Sequence, residues 1–230
     1  MIVSISTQSS AQDTQTLKRV WQTLHRESCP YDYNFHMHTL HSDGRLKPEE
    51  LIQQAITIGL KGMAITDHHS LNGYRVAQKW IDDIGQTSPQ TPLPHLWTGI
   101  EITSLLLDIE VHILGYGFDP NHPIIQPYLT GNSPKGTQAL AEQVIKALHQ
   151  AGGLTVLAHP CRYHRSAVEL IPAIADLGID GIETFYAYSN PKPWKASLKE
   201  TEQMLTLSQF YGLFNTCGTD THGVNLLQRI

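Results

Sequence analysis

The sequence predicts an α/β fold in which parallel strands, with helices outside them, close or nearly close into a barrel. Short apolar runs alternate with amphipathic segments through most of the chain, which is the order of repeated strand and helix units. The length of 230 residues lies near the usual size of an α/β barrel. We find no internal repeat, so we expect one domain over residues 31–230, preceded by a lead-in segment over residues 1–30.

The lead-in segment is polar at its start and then briefly amphipathic. Leu17, Val20, Trp21 and Leu24 follow the spacing of one helical face. We therefore expect a short helix that packs on the body of the protein, with a partly disordered start.

The first half of the body has helices with recognisable ends. Proline and acidic residues open one helix at Pro48, Glu49 and Glu50, and Gly59 ends it. A proline-containing loop over residues 87–92 follows the second helix. In chain order the predicted elements are a strand (33–37), a helix (47–59), a strand (62–66), a helix (72–84) and two strands around a short turn (96–102 and 109–116).

The second half of the body opens with a long surface connection, residues 121–136, which contains three prolines. Gly152 and Gly153 stop the helix that follows, and the continuous apolar run after them is typical of a buried strand. The predicted elements are a helix (139–151), a strand (154–158), a helix (166–177), a strand (181–184), a helix (197–211) and a strand (214–218).

Composition limits the function classes. The net charge of -5 and pI near 6.2 argue against a surface that holds duplex nucleic acid by charge alone. The sequence has no apolar run of the roughly 20 residues needed to cross a bilayer, and its N-terminus does not resemble a signal peptide. Cys29, Cys161 and Cys217 are odd in number and form no C-x-x-C pair, so we expect a reducing, cytoplasmic setting.

Nine potential metal ligands lie at or near the ends of predicted strands. His36 and His38 lie on one side of a strand, because side chains alternate with period two. The carboxyl ends of parallel barrel strands converge on one face, and one ion takes about four ligands, so this set predicts a multinuclear centre. The nine are His36, His38, Asp43, His68, Glu101, His112, His159, Asp220 and His222.

The ordered motifs H-x-H-x-x-x-S-D-G, T-D-H, G-I-E, a lone His after Glu-Val, A-H-P and D-x-H extend from about Asn34 to Gly223. This series resembles the PHP (polymerase and histidinol phosphatase) family. The resemblance implies a distorted seven-stranded, TIM-like (β/α) barrel that hydrolyses phosphate esters with divalent metals. A-H-P-C-R-Y is similar to the branch that acts on nucleoside 3',5'-bisphosphates and short oligoribonucleotides.

The resemblance also implies three metal sites per chain for zinc, manganese or iron, with magnesium as a further option. Glu101 would bridge the first two, which activate a bridging hydroxide for in-line attack. We therefore assign catalytic roles to Glu101, Asp220 and His222. The expected groups are His36, His38, Glu101 and Asp220; Glu101, His112 and His159; and Asp43, His68 and His222.

Three residues are candidate substrate contacts. Arg162 offers bidentate geometry to a phosphate, against a surface ion pair as the alternative. Glu183 at a strand end either points into the pocket or pairs with Arg162. His69 follows a ligand and is either a substrate contact or a rim residue.

One departure from the bisphosphatase branch concerns the helical insertion that caps the site. Only 46 residues, Ile113 to Ala158, separate His112 from His159, so the site is open to longer oligonucleotides or other phosphate esters. The expected partner is a small phosphorylated molecule, nucleotide or short oligonucleotide. A histidinol-phosphate phosphatase is the alternative enzyme. A non-catalytic metal-binding or regulatory module is the alternative of another class, and the completeness of the ligand set argues against it.

Overall fold

A computed structural model describes residues 10–230, which contain eight strands and six α-helices. The strands are β1 (Tyr33–Asn34), β2 (Gly62–Ala64), β3 (His95–Trp97), β4 (Gly99–Leu106), β5 (Ile109–Tyr116), β6 (Leu154–Leu157), β7 (Gly181–Phe185) and β8 (Phe214–Cys217). The helices are α1 (Thr14–Trp21), α2 (Pro48–Ile58), α3 (Asn72–Thr87), α4 (Ala141–Gln150), α5 (Ala167–Asp176) and α6 (Leu198–Tyr211). The predicted α/β class is confirmed.

The strands form two sheets and do not close into a barrel, which corrects the expectation of a distorted seven-stranded barrel. One sheet has the order β1-β2-β3 and the other β4-β5-β6-β7-β8. Isolated bridges connect them at two seams, Met37 with Thr221 and His68 with Glu101. A continuous ladder is interrupted there because Asp220 and His69, each at a seam, have φ of 53°, which is incompatible with strand geometry.

One strand departs from the parallel order that the repeated strand and helix units predicted. β5 runs antiparallel to both β4 and β6, while the other neighbouring pairs are parallel. β4 and β5 are joined by the two residues Leu107 and Asp108, both with positive φ, and the last pair is Leu106 with Ile109. A two-residue turn of this kind forms a hairpin, whereas a parallel pair needs a long crossover.

Helix α1 packs on the body through a cluster of aromatic side chains. The Trp21 ring lies edge-on to the Tyr116 ring, with centroids 5.4 Å apart, and also contacts Phe35. Leu17 and Trp21 are buried, as the spacing predicted. The polar start of the lead-in segment, residues 1–9, lies outside the described residues.

The connection between β5 and α4 is more ordered than the predicted surface loop. A 3-10 helix covers Pro123–Tyr128, and its Ile125 and Tyr128 side chains are buried in the core between β4, β5 and α4. Among residues 10–230, no helix combines the length and the apolar character that crossing a bilayer requires.

Candidate metal centre

The His-Met-His segment directly after β1 forms the floor of the site. His36 and His38 are buried on the side facing the other candidate ligands, and Met37 packs on the opposite side in the core with Met63 and Ile65. The backbone alternation therefore separates ligands from core packing, as period two requires.

Glu101, the third residue of β4, lies at the centre of the cluster. Its Oε2 is 3.0 Å from His36 Nε2, 3.1 Å from His38 Nε2 and 3.6 Å from His68 Nε2. Its Oε1 is 2.8 Å from His112 Nδ1 and 3.5 Å from His159 Nε2. One buried carboxylate thus contacts five imidazoles from four separate segments.

Asp220 follows β8 and lies beside the same two floor histidines. Its Oδ1 is 3.3 Å from both His36 Nε2 and His38 Nε2. Its Oδ2 points away and accepts hydrogen bonds from Arg162 NH1 (2.9 Å), Tyr186 OH (2.6 Å) and Arg229 Nε (2.8 Å).

The outer part of the site is more exposed. Asp43 Oδ2 lies 3.1 Å from His222 Nε2 and 3.8 Å from His68 Nε2, and Asp43 Oδ1 lies 3.5 Å from His38 Nδ1. The Asp43 side chain is about half exposed, whereas His36 and His38 are fully buried.

The nine predicted ligands therefore converge in four overlapping groups, in each of which the candidate atoms lie within 4.8 Å of one another. The grouping differs in detail from the expected three sets, because His38 also joins the outer group and His68 also lies with Glu101 and His112. The groups are His38, Asp43, His68 and His222; His36, His38 and Asp220; His36, Glu101 and His159; and His68, Glu101 and His112.

Two buried atoms without hydrogen-bond partners, together with the types of donor present, indicate that these side chains fit metal ions. His38 Nε2 and Glu101 Oε1 are buried and have no hydrogen-bond partner among residues 10–230, although each lies close to other ligand atoms. Buried polar atoms normally have a partner, so this pattern fits atoms that would ligate a metal ion. Imidazole and carboxylate are the donors that zinc, manganese and iron accept.

Two candidate metal ligands also form hydrogen bonds through the ring nitrogen that faces away from the cluster. His36 Nδ1 lies 3.0 Å from Glu183 Oε1, and His222 Nδ1 lies 2.7 Å from the Asp220 carbonyl oxygen. A carbonyl oxygen and an ionised carboxylate only accept, so each Nδ1 carries a proton, and Nε2 is the nitrogen that would ligate a metal ion.

Electrostatics hold the carboxylates ionised. Burial alone would raise the pKa values of Glu101 and Asp220, but neighbouring histidines, His36 foremost, hold both pKa values well below the ordinary range. Burial opposes protonation of His38, yet contacts with Asp220 and Glu101 raise its pKa to about 9. Burial lowers the pKa of His68 to about 4, so its ring is neutral at neutral pH.

Glu183 does not reach the substrate space and does not pair with Arg162, which corrects the expectation of a substrate contact. Its side chain is fully buried behind His36, and its Oε2 accepts a hydrogen bond from the His159 backbone N–H at 2.8 Å. Glu183 thus orients the His36 ring and the His159 backbone, and it contacts both candidate ligands on the side that faces away from the cluster.

His69 is likewise turned away from the cluster. Its ring is buried, and Nε2 lies 3.1 Å from Thr103 Oγ1 and 3.3 Å from Ser133 Oγ. Its carbonyl oxygen accepts the Gly131 N–H. The structure therefore places His69 as a tie between the metal-ligand segment and the loop over residues 131–133, and not at the expected position of substrate contact.

Arg162 lies at the mouth of the site, on a short 3-10 turn after His159, and contacts Asp220 and Tyr186. Sequence reasoning missed Tyr186 and Arg229, the other two donors to Asp220 Oδ2. Tyr186 follows the strand that carries Glu183, which was a usable signal. Arg229 follows the last motif by seven residues, and no periodicity marks it.

Comparison with known proteins identifies this arrangement. The sequence model of the PHP domain family matches residues 34–218, which are most of the chain. The chain belongs to the PHP domain family.

Among curated relatives of this PHP domain, the 5'-3' exoribonuclease Rnm of Salmonella typhimurium is 24% identical over 261 residues, covering 83% of this chain and 85% of that protein. The 3',5'-nucleoside bisphosphate phosphatase of Chromobacterium violaceum is 29% identical over 119 residues, covering 52% of this chain and 39% of that protein. A solved Bifidobacterium adolescentis structure, assigned as a metal-dependent phosphoesterase, shares the fold with a TM-score of 0.67 at 24% identity, covering 84% of this chain and 88% of that one.

These findings confirm the family and the enzyme class that the motifs predicted. The protein is a PHP-type metal-dependent phosphoesterase, a hydrolase of phosphoric esters. Its clustered histidines and carboxylates are able to bind metal ions.

Proposed function

We propose that this PHP domain hydrolyses a phosphate ester of a nucleotide or small molecule, with a nucleoside 3',5'-bisphosphate or a short oligonucleotide as the leading substrates. The observation that carries the proposal is Glu101, a buried carboxylate whose two oxygens contact five imidazoles. The nucleotide preference draws on the relatives, which are named as an exoribonuclease and a bisphosphate phosphatase.

In the proposal Glu101 would be a ligand of two ions, and Asp43, His68 and His222 would hold a third. Divalent ions in such clusters activate water and neutralise phosphate oxygens, so no nucleophile from the protein is needed. The protein supplies the orientation: Glu183 fixes the ring of His36, and the Asp220 carbonyl fixes the ring of His222. Both imidazoles are thereby oriented with Nε2 toward the cluster before any ligand binds.

The substrate would approach from the outer side of the cluster. The side chains of His68, His112 and His222 are each about one-fifth to one-quarter exposed, while the floor histidines are closed to solvent. Residues 113–158 contain the rest of β5, two 3-10 helices, α4 and β6, with no separate capping domain. An open mouth of this kind accommodates a leaving group longer than one nucleoside.

The test is hydrolysis by protein that is reconstituted with Mn²⁺ or Zn²⁺ at neutral pH. The panel contains a nucleoside 3',5'-bisphosphate, 5'-phosphorylated RNA of two to five nucleotides, histidinol phosphate and a generic aryl phosphate. Asp220→Ala, which removes a candidate ligand, is the inactive control. We expect turnover of a nucleotide substrate, and the products separate two activities: inorganic phosphate indicates a phosphatase and mononucleotides indicate an exonuclease.

Two results would reject the proposal. A higher kcat/KM for histidinol phosphate than for any nucleotide would support the alternative enzyme. No turnover of any phosphate ester by protein with measured metal content would support a binding or regulatory module.

A further inference from the structure

The outward oxygen of Asp220 has more donors than it has lone pairs. Arg162 NH1, Tyr186 OH and Arg229 Nε all lie within 2.9 Å of Oδ2. A carboxylate oxygen offers about two lone-pair directions, so three short hydrogen bonds on one oxygen leave one donor in excess. That donor is available to another acceptor without leaving Asp220 unpaired.

Burial separates the three donors. Tyr186 is buried, and the Arg229 side chain is 18% exposed, whereas the Arg162 side chain is 39% exposed at the mouth of the site. Within the described chain, only NH1 of the Arg162 guanidinium makes hydrogen bonds. Arg162 is therefore the donor with free N–H groups and with room to move.

Arg229 is held in place by its backbone. Its carbonyl oxygen accepts hydrogen bonds from the N–H groups of His222 and Gly223. Between these points the chain is tied down by Leu226, which is fully buried and whose backbone N–H donates to Gln54 Oε1 at 2.9 Å. The segment 222–229 after the D-x-H motif therefore holds the Arg229 guanidinium beside Asp220, and this placement does not depend on the position of Arg162.

Asp220 needs such an anchor because its backbone is strained. Its φ of 53° is uncommon for a residue other than glycine, and its Oδ1 must face His36 and His38. Two donors on Oδ2 hold the side chain in this orientation.

We propose that Arg229 and Tyr186 are the permanent anchors of Asp220, and that Arg162 is an exchangeable donor that leaves Asp220 to bind a phosphoryl oxygen of the substrate. The exchange rests on the proposed phosphoesterase function. It assigns Arg229 as a positioning residue for a candidate metal ligand. It also explains how Arg162 can contact Asp220 in the substrate-free protein and still bind the substrate.

The test uses binding measurements on four variants of the full chain, Arg162→Gln, Arg229→Gln, Arg229→Lys and the double glutamine variant. Mn²⁺ is titrated calorimetrically into metal-free protein, and inorganic phosphate is titrated into Mn²⁺-loaded protein. Arg165→Gln is the matched control, because Arg165 pairs with Glu169 on the surface three residues from Arg162. Thermal unfolding checks the fold of each variant, and Arg229→Lys carries the test if Arg229→Gln fails to fold.

Arg229→Gln should weaken Mn²⁺ binding about tenfold, the lower range for a lost charged hydrogen bond, and Arg229→Lys should recover most of the loss. Arg162→Gln should change Mn²⁺ binding less than about threefold and weaken phosphate binding about tenfold. In the Arg229→Gln background, Arg162 becomes the remaining arginine on Asp220. Removing it there should weaken Mn²⁺ binding more than it does in the wild type.

The proposal is overturned if Arg162→Gln weakens Mn²⁺ binding as much as Arg229→Gln does, or if the two effects on Mn²⁺ binding add independently. It is also overturned if Mn²⁺-loaded wild-type protein does not bind phosphate, or if Arg162→Gln leaves phosphate binding unchanged. These measurements do not depend on turnover. Failure of the phosphoesterase proposal in the substrate panel is therefore a separate result.

Discussion

Replacing Glu101 by glutamine tests the centre of the site, because it keeps the shape of the side chain and removes its charge. Glu101 is buried, with imidazole nitrogens 2.8–3.6 Å from its oxygens. If two ions share the carboxylate, each of them loses a charged ligand. A charged polar contact contributes about 1.5–3 kcal/mol, so we expect roughly 10- to 100-fold weaker binding of each of two ions.

The assay is calorimetric titration of Mn²⁺ into metal-free protein, with elemental analysis after dialysis. Glu110→Gln is the matched control, since Glu110 Oε1 lies 3.9 Å from His112 Nε2 on a mostly exposed side chain. Exposed pairs contribute about 0–1 kcal/mol, so this variant should bind Mn²⁺ with affinity close to the wild type. Wild-type stoichiometry and affinity in Glu101→Gln would refute the shared-ligand reasoning.

Three further predictions concern the same cluster. In metal-free protein, His38 has a pKa of about 9 against an ordinary 6.5, so its protonated form stabilises the fold fully below pH 6.5 and this contribution is lost as pH rises through about 9. Denaturation in chelator should show an unfolding free energy that falls over this window, and a flat profile would contradict the assignment. Gly218→Ala should destabilise the protein by about 1–3 kcal/mol, because an added Cβ would lie 2.7 Å from the His36 backbone nitrogen. Gly85→Ala in helix α3, where an added Cβ would lie 3.6 Å from Leu93 Cδ1, is the control and should not destabilise the protein. Equal thermal stability of the two variants would count against the packing argument. Asp220→Ala should lower kcat at least about a hundredfold, more than the loss of a group that only orients a ligand, and a variant with near-normal kcat would exclude Asp220 from the centre.

The arrangement of the strands shows where sequence patterns were insufficient. The apolar runs located seven strand segments, but the predicted strand 96–102 is divided between β3 and β4. The alternation of strand and helix did not reveal that β5 runs antiparallel. Strand direction follows from the length of the connection, and the two-residue turn at Leu107 and Asp108 forms a hairpin in place of a crossover. Closure was decided by backbone angles at Asp220 and His69, which no hydrophobic pattern encodes.

The sequence by itself determined the family and indicated the candidate metal ligands, because each candidate ligand lies in a short local motif that is readable as residue type and spacing. His36 and His38 are one such pair, and their common side of the chain follows from period two. Only the tertiary structure decided which groups stand behind the ligands. Glu183 behind His36, and Arg229 with Tyr186 on Asp220, are contacts between distant segments, set by how the strands and the final loop pack. Such contacts depend on side-chain direction and burial in three dimensions, for which the spacing of residues along the chain carries no signal.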